Sequence, residues 1–351
     1  LDLRLQRLTN LEQLEIEREF DRLSKEIKRL KGILESKSKL DRLIIDELTE
    51  VRELLASPRR TQLIDAVQPN DDETEEKAAA EPAFVMFLPD NKLRRLPPKL
   101  AAADFIAKEQ PDVFALQEVN QTASAPAMPI PLANYCPCSG NGILLKEDNH
   151  AAAVAQMLKE EGVHYYWSWL PAKIGYDKYD EGMAIFSRMP ITATENLLLS
   201  RTDDYHYWKT RRALGICAGD VWYYAVHMGW WKDEEEPFLD QWEKMSHAAS
   251  GKQMAFLLGD FNSEAAVRGE GYDLIARDGW QDTYCLAQHK DDGYTVVQAI
   301  DGWRDTPDAA EKKRIDQIWC SKVIPVKSSR VVFRGTQEPQ VSDHAGILIE
   351  L

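Results

Sequence analysis

Long hydrophobic runs are missing from this 351-residue sequence: nowhere do the roughly 18 consecutive apolar residues of a bilayer-crossing helix stand together. No membrane association is therefore expected. No run of Lys and Arg is long enough to form a basic patch either. The formal net charge is −15, with acidic excess in both the N-terminal and the C-terminal part, so the surface repels a nucleic-acid backbone and anionic lipid. Cysteine is scarce, odd in number at 5, and scattered. Cys136-Pro137-Cys138 is a close pair, but no second pair stands at zinc-site spacing, which leaves free or buried thiols of a reducing compartment. The first residues are charged and show no apolar leader, so a cytoplasmic protein is expected. What is present, 44% apolar and 29% charged residues, belongs to a globular chain with a real core.

Turn residues are nearly absent from residues 1–66, where Gly32 and Pro58 stand alone. Ile16, Phe20, Leu23, Ile27, Leu30 and Leu34 recur at spacings of four and three, a heptad seam. Thr9-Asn10-Leu11-Glu12 fits a capping box opening that helix. After a break at Ser36–Ser38, Leu40, Ile44, Leu48, Val51 and Leu55 continue a second stripe. This predicts a helical arm over 1–66 that folds back on itself or pairs with a second copy into a homodimer. Residues 67–82, acidic and bounded by prolines, read as a linker. On Leu1-Asp-Leu-Arg-Leu-Gln-Arg-Leu-Thr9, Leu11-Glu12 and Arg59-Arg60-Thr61, the arm resembles the coiled-coil segment of the A subunits of bacterial gyrase and topoisomerase IV. The resemblance implies a dimerisation piece. DNA cleavage does not follow from it, because that family's catalytic tyrosine domain has no counterpart here.

From residue 83 the pattern changes to short apolar runs alternating with helical stretches. Strands are predicted at 83–88, 113–116, 165–170, 183–186, 213–218, 222–226, 254–258, 315–320, 326–333 and 345–351. Helices are predicted at 97–110, 149–161, 240–250 and 272–278. Many short strands with few helices between them point to an α/β fold in which two sheets pack face to face with helices outside.

Five strand ends carry polar groups. Val113-Phe-Ala-Leu-Gln117-Glu118 ends in a carboxylate and Tyr224-Ala-Val226-His227 in an imidazole. Gly259-Asp260-Phe261-Asn262 follows Phe256-Leu257-Leu258, and at i and i+2 of a strand exit Asp260 and Asn262 face one side. Arg314-Ile315-Asp316 and Val341-Ser342-Asp343-His344 complete the set. A polar residue capping a strand is ordinary for any one of these; all five together point to a site. Glu118 is the principal candidate ligand for a hard cation, which phosphoester hydrolysis needs against phosphate oxygens. Asp260 and Asp343 are further candidate metal ligands. His344, held by Asp343, is the candidate proton donor, with His227 approaching the same phosphate and Asp316 joining the metal or the histidine network. The remaining histidines, 150, 164, 206, 247 and 289, read as structural.

In these strand ends, in this order, the chain from about 83 to 351 resembles the exonuclease–endonuclease–phosphatase superfamily. That resemblance implies a four-layer α/β sandwich. It also implies that Asp260 acts as base on the attacking water, with Asn262 orienting it. Within the superfamily it is most similar to the maltose-6′-phosphate phosphatase branch. The phrases that carry this are Tyr165-Tyr-Trp167-Ser-Trp169, Gly175-Tyr176-Asp177, Tyr179-Asp180-Glu181-Gly182, Trp230-Trp231, Gly269-Glu270-Gly271-Tyr272-Asp273 and Ile300-Asp301-Gly302-Trp303. One departure stands out: family members carry an Asn at the end of the first strand, whereas residues 83–89 contain none and Asn91 is displaced.

The expected function is a phosphomonoesterase dependent on Mg²⁺, with Mn²⁺ able to replace it, acting on a small phosphorylated sugar. Trp167, Trp169, Tyr176, Trp230 and Trp231 suit stacking on sugar faces, though each can equally be core packing. Arg211 and Arg212 are candidates for holding phosphate or sugar hydroxyls. Two other readings stay open: a nuclease of the same fold, which the acidic balance disfavours, and a weakened module serving as a dimeric scaffold.

Overall fold

The structure is a computed structural model that describes residues 84–89, 96–129, 132–138, 142–298 and 311–351. The predicted arm, the linker, Asn91 and Ile300–Trp303 lie outside the described residues.

Two sheets form the frame. The first has the order β10-β12-β13-β1-β2-β4-β3, built from β1 (Phe84–Pro89), β2 (Val113–Thr122), β3 (Tyr166–Gly175), β4 (Tyr179–Ser187), β10 (Ala287–Lys290), β12 (Val326–Val332) and β13 (Gly346–Glu350). The second has the order β5-β6-β7-β8-β11-β9. It comprises β5 (Ile191–Leu198), β6 (Arg212–Ala218), β7 (Val221–His227), β8 (Ala255–Asp260), β9 (Gln281–Asp282) and β11 (Asp316–Cys320). Both sheets are mixed: β1 and β2 run parallel, as do β7 and β8, while most other neighbours are antiparallel.

Strand periodicity explains how the sheets stack, since alternate residues point to opposite faces. Val85, Phe87, Val113, Ala115 and Ile185 of the first sheet meet Leu214, Ile216, Tyr223, Ala225 and Leu258 of the second in one buried layer. The other face of the first sheet, through Met86, Phe114, Phe186 and Leu348, packs on α1 (Leu96–Glu109) and α2 (His150–Glu160). The outer face of the second, through Tyr224, Val226, Leu257 and Trp319, packs on α3 (Phe238–Ala249) and α4 (Gly271–Arg277). The result is the helix–sheet–sheet–helix sandwich expected from the sequence. A short helix, α5 (Thr283–Leu286), joins β9 to β10.

The helices start and stop where local chemistry dictates. Asn149 caps α2, its side chain accepting from the Ala152 amide at 3.0 Å. Asp282 caps α5 in the same way through Tyr284 at 3.0 Å.

Among the departures from the expected pattern, the first matters to the site. β2 does not end at Glu118. It slips register between Leu116 and Val119, places Glu118 in the left-handed region at φ +54°, and continues to Thr122. Such a bulge re-aims one side chain without ending the strand. The Asn120 side chain donates to the Glu118 carbonyl, and the Trp169 indole donates to the Val119 carbonyl at 3.2 Å. The second departure is β5, absent from the expected strands because Ile191-Thr-Ala-Thr-Glu-Asn is polar and half-exposed, as an edge strand tolerates.

β7 and β8 approach closely one residue before the site. A methyl group at Gly259 would sit 1.8 Å from the Val226 carbonyl oxygen, so only glycine lets the two strands bring His227 beside Asp260.

Candidate active site

Register assembles the site. β7 and β8 pair His227 with Asp260, and β8 and β11 pair Asp260 with Asp316. Three polar groups on adjacent strands therefore stand in a row at one edge of the second sheet. Across from them, the bulge of β2 presents Glu118, and the turn Val341–Ser342–Asp343 leading into β13 presents His344. Glu118, His227, Asp260 and His344 line one cleft of about 510 Å³ together with Lys173, Tyr176, Glu181, His206, Trp208, Arg211, Trp230 and Asn262, while Asp316 lies buried behind them.

The hydrogen bonds define the roles. His344 Nδ1 lies 2.9 and 3.1 Å from the two carboxylate oxygens of Asp316, which is fully buried. This corrects the expectation that gave the partner role to Asp343. The Asp343 carboxylate accepts from the Ser342 hydroxyl at 3.2 Å, and its field reaches Glu118. Asp316, the first residue of β11, faces His344 from the other sheet. Asp260 accepts from the Asn262 amide at 2.7 Å, and the Asn262 side chain donates to the Met228 carbonyl at 2.9 Å. Asn262 itself sits at φ +46°. His227 Nε2 lies 3.7 Å from Asp260 Oδ2.

Burial and charge shift these groups in opposite directions. Burial, then the neighbouring Glu181, pushes the Glu118 carboxyl up to about 8. Burial and Asp316 push Asp260 up to about 7. Burial alone would lower His344, but Asp316 holds its proton and raises it to about 10. Burial and the cations Arg211 and Lys173 drive His227 well below the ordinary range, so it is neutral at pH 7.

Crowded carboxylates of this kind suit a divalent cation. Glu181 and Asp343 raise the proton affinity of Glu118, and a hard ion would replace that proton. Asp260, Asp316 and His344 also converge within 4.8 Å. There, however, His344 Nδ1 is already engaged by the Asp316 carboxylate at 2.9 Å, which makes it a poor ligand.

This gives a stability prediction. The unfolded chain releases carboxyl protons near about pH 4, whereas folded Asp260 and Glu118 hold theirs to about 7 and about 8. The metal-free protein therefore loses stability as pH rises through that window. His344 acts in the same direction, its contribution complete below about 6.5 and lost as pH rises through about 10. A bound cation removes the carboxylate penalty, so the Tm gain on adding Mg²⁺ should be larger near about pH 8 than near about pH 5.5. Equal gains at both would contradict a cation among these groups.

Several of the residues expected to touch substrate fall elsewhere. Tyr176, 76% exposed, and Trp230 do line the cleft. Trp231 does not: its ring packs on Phe238 at 5.9 Å, under α3. Trp167 and Trp169 are buried in the core behind the first sheet. Arg212 is engaged by Asp203 and Asn196. His206, read as structural, lines the cleft, and so do Lys173, Glu181 and Trp208, to which no role was given. Lys173 carried no signal of its own, and Glu181 stood only within the phrase Tyr179-Asp180-Glu181-Gly182, with no role attached.

The profile of the Endonuclease/Exonuclease/phosphatase family matches residues 84–344. Among solved structures, an endonuclease/exonuclease/phosphatase family protein from Leptotrichia buccalis is 29% identical with a TM-score of 0.66, covering 76% of this chain and 98% of that one. A 3′-5′ exonuclease from Neisseria meningitidis is 20% identical with a TM-score of 0.51, covering 76% of this chain and 99% of that one, a likeness of fold alone. Among curated proteins, the gyrase A protein of Helicobacter pylori is 42% identical over 85 residues, 24% of this chain and 10% of that protein. This chain thus spans about a tenth of the length of the curated relatives it matches.

Proposed function

Because the chain belongs to the Endonuclease/Exonuclease/phosphatase family, whose members are metal-dependent hydrolases of phosphoester bonds, we propose that it is a Mg²⁺-dependent phosphomonoesterase acting on a phosphorylated sugar. The observation that carries this reading is the position of the cations. Lys173 and Arg211 lie inside a cleft of about 510 Å³, on a chain of net charge −15. A nuclease tracking a strand needs cations spread along a surface; one terminal phosphate needs them gathered in a recess. The exposed rings of Tyr176 and Trp208 at the mouth suit the apolar face of a sugar.

Each residue has a task in this reading. Glu118, with Asp343 or Asp260 beside it, would hold Mg²⁺, or Mn²⁺ in its place, and the ion supplies charge neutralisation at the phosphate oxygens. Asp260 takes the proton of the attacking water, which Asn262 orients. His344, kept protonated and oriented by Asp316, donates to the phosphate as charge develops. Neutral His227 donates a hydrogen bond to the same group, and Arg211 binds a non-bridging oxygen.

Glu118→Gln keeps the shape and removes a charge. It should raise the half-saturating Mg²⁺ concentration about tenfold or more while the melting curve stays cooperative. An unchanged Mg²⁺ requirement would move the ligand role to Asp260 or Asp343. The reading as a whole is tested by phosphate release from sugar 6-phosphates against nicking of plasmid DNA, both with Mg²⁺. Nicking without phosphate release would favour the nuclease.

Residues 83–351 form the catalytic unit in this proposal, with 67–82 as linker and 1–66 as a dimerising arm. The stripe from Ile16 to Leu34 presents six large apolar side chains, each worth about 1.5–3 kcal/mol when covered. Sedimentation should show a dimer for the full chain and a monomer for one starting at Ala83. Two monomers would mean that the arm closes on itself.

A further inference from the structure

We propose that Lys173 and Arg211 form a subsite for a phosphate dianion, which selects a monoester over a diester. This rests on the phosphohydrolase reading above and specifies its substrate class. The two cations reach the cleft from different sheets. Lys173 sits in β3 where the pairing with β4 slips between Pro171 and Lys173, and Arg211 immediately precedes β6. Irregular pairing next to the site turns the Lys173 stem into the cleft instead of along the sheet.

Their partners leave donors unused. Lys173 Nζ pairs with Glu181 Oε1 at 3.3 Å and donates to the Trp208 carbonyl at 2.9 Å, and its side chain is 12% exposed. An ammonium has three protons, so one remains for the cleft. Arg211 is 4% exposed, and its Nε–H has no partner among the described residues. Among the described residues no carboxylate lies within ion-pair distance of its guanidinium, which instead stands 5.6 Å from the centre of the Trp230 ring. Arg212, one residue on, shows the contrast, with Asp203 and Asn196 both engaged.

A buried guanidinium with an orphaned donor, beside a second cation that has a donor to spare, is costly unless an anion completes it. A monoester presents three non-bridging oxygens and two charges near neutral pH. A diester presents two such oxygens and one charge. With the cation-binding carboxylates on one side, only the dianion leaves oxygens and charge for Lys173 and Arg211 together.

The test uses the full chain loaded with Mg²⁺. Specificity constants are measured for para-nitrophenyl phosphate and bis(para-nitrophenyl) phosphate, and the Kd of inorganic phosphate by calorimetry. Lys173→Met, which keeps the stem, should lower monoester kcat/KM by about 100-fold, lower the monoester-to-diester ratio by at least about tenfold, and weaken phosphate binding by at least about tenfold. Lys173→Arg should recover most of the ratio. If Lys173→Met does not fold, Arg211→Lys, which keeps charge and loses the orphaned Nε–H, gives the same phosphate-binding comparison. Phosphate bound equally by wild type and variant, or both esters slowed by one factor at an unchanged Tm, would overturn the subsite even with an active phosphatase. A wild type that hydrolyses neither ester yet loses phosphate affinity on Lys173→Met would support the subsite and overturn the phosphatase reading.

Discussion

Replacing Asp260 by Ala is expected to lower kcat by about three to four orders of magnitude and leave the fold intact. Asp260 ends β8 between His227 on β7 and Asp316 on β11, so it is the centre of the row that the register builds. Burial and Asp316 bring its proton affinity to about 7, where a general base is most effective near neutral pH. Truncation removes a like charge from beside Asp316 and touches none of the apolar layers, so stability has little to lose. The one hydrogen bond given up, from the Asn262 amide at 2.7 Å, opens onto the cleft, where water can replace it. The check is kcat for phosphate release beside a far-UV spectrum and a melting curve. Full activity in a folded variant would remove Asp260 from the chemistry.

Asp316→Asn should be almost as damaging, again about three to four orders of magnitude, with a signature of its own. The carboxamide keeps the size of the carboxylate. It can turn an NH₂ toward His344 Nδ1, which favours the wrong tautomer, and it no longer compensates the imidazolium. The proton on His344 is held to about 10 against burial chiefly by Asp316. Without that carboxylate burial prevails and the proton leaves at lower pH. The basic limb of the rate profile should therefore move to lower pH in the variant. A reduced rate with an unmoved basic limb would show that Asp316 holds structure without tuning His344.

The two-sheet architecture was legible because the signal was redundant. Apolar runs such as 113–116, 222–226 and 254–258 are of strand length and lie at the centre of the sheets, where both faces are covered. Polar edges were not legible: β5 alternates weakly, and β9 and β10 are too short to show a period. The strand-end residues were readable because each stands beside an apolar run: Glu118, His227 and Asp260 where one stops, Asp316 and His344 where one starts. What they do to one another was not. The choice of Asp316 over Asp343 as partner of His344 depends on β11 of one sheet facing the turn before β13 of the other, and neighbours in sequence mislead there. The bulge at Glu118 leaves no mark in Gln117-Glu118-Val119, and it alone decides that this carboxylate faces the cleft. Aromatic residues were the least informative, since Trp169 braces the bulge and Trp231 the core while Trp208, set in a polar loop, stands at the mouth.

Crystals of the protein with Mg²⁺ and inorganic phosphate provide the most direct measurement. The cation is expected on Glu118 and the phosphate in the cleft between Arg211, His227 and His344, with Lys173 within hydrogen-bond distance of an oxygen. A cation seated instead on Asp260, Asp316 and His344, with phosphate outside the cleft, would contradict that expectation.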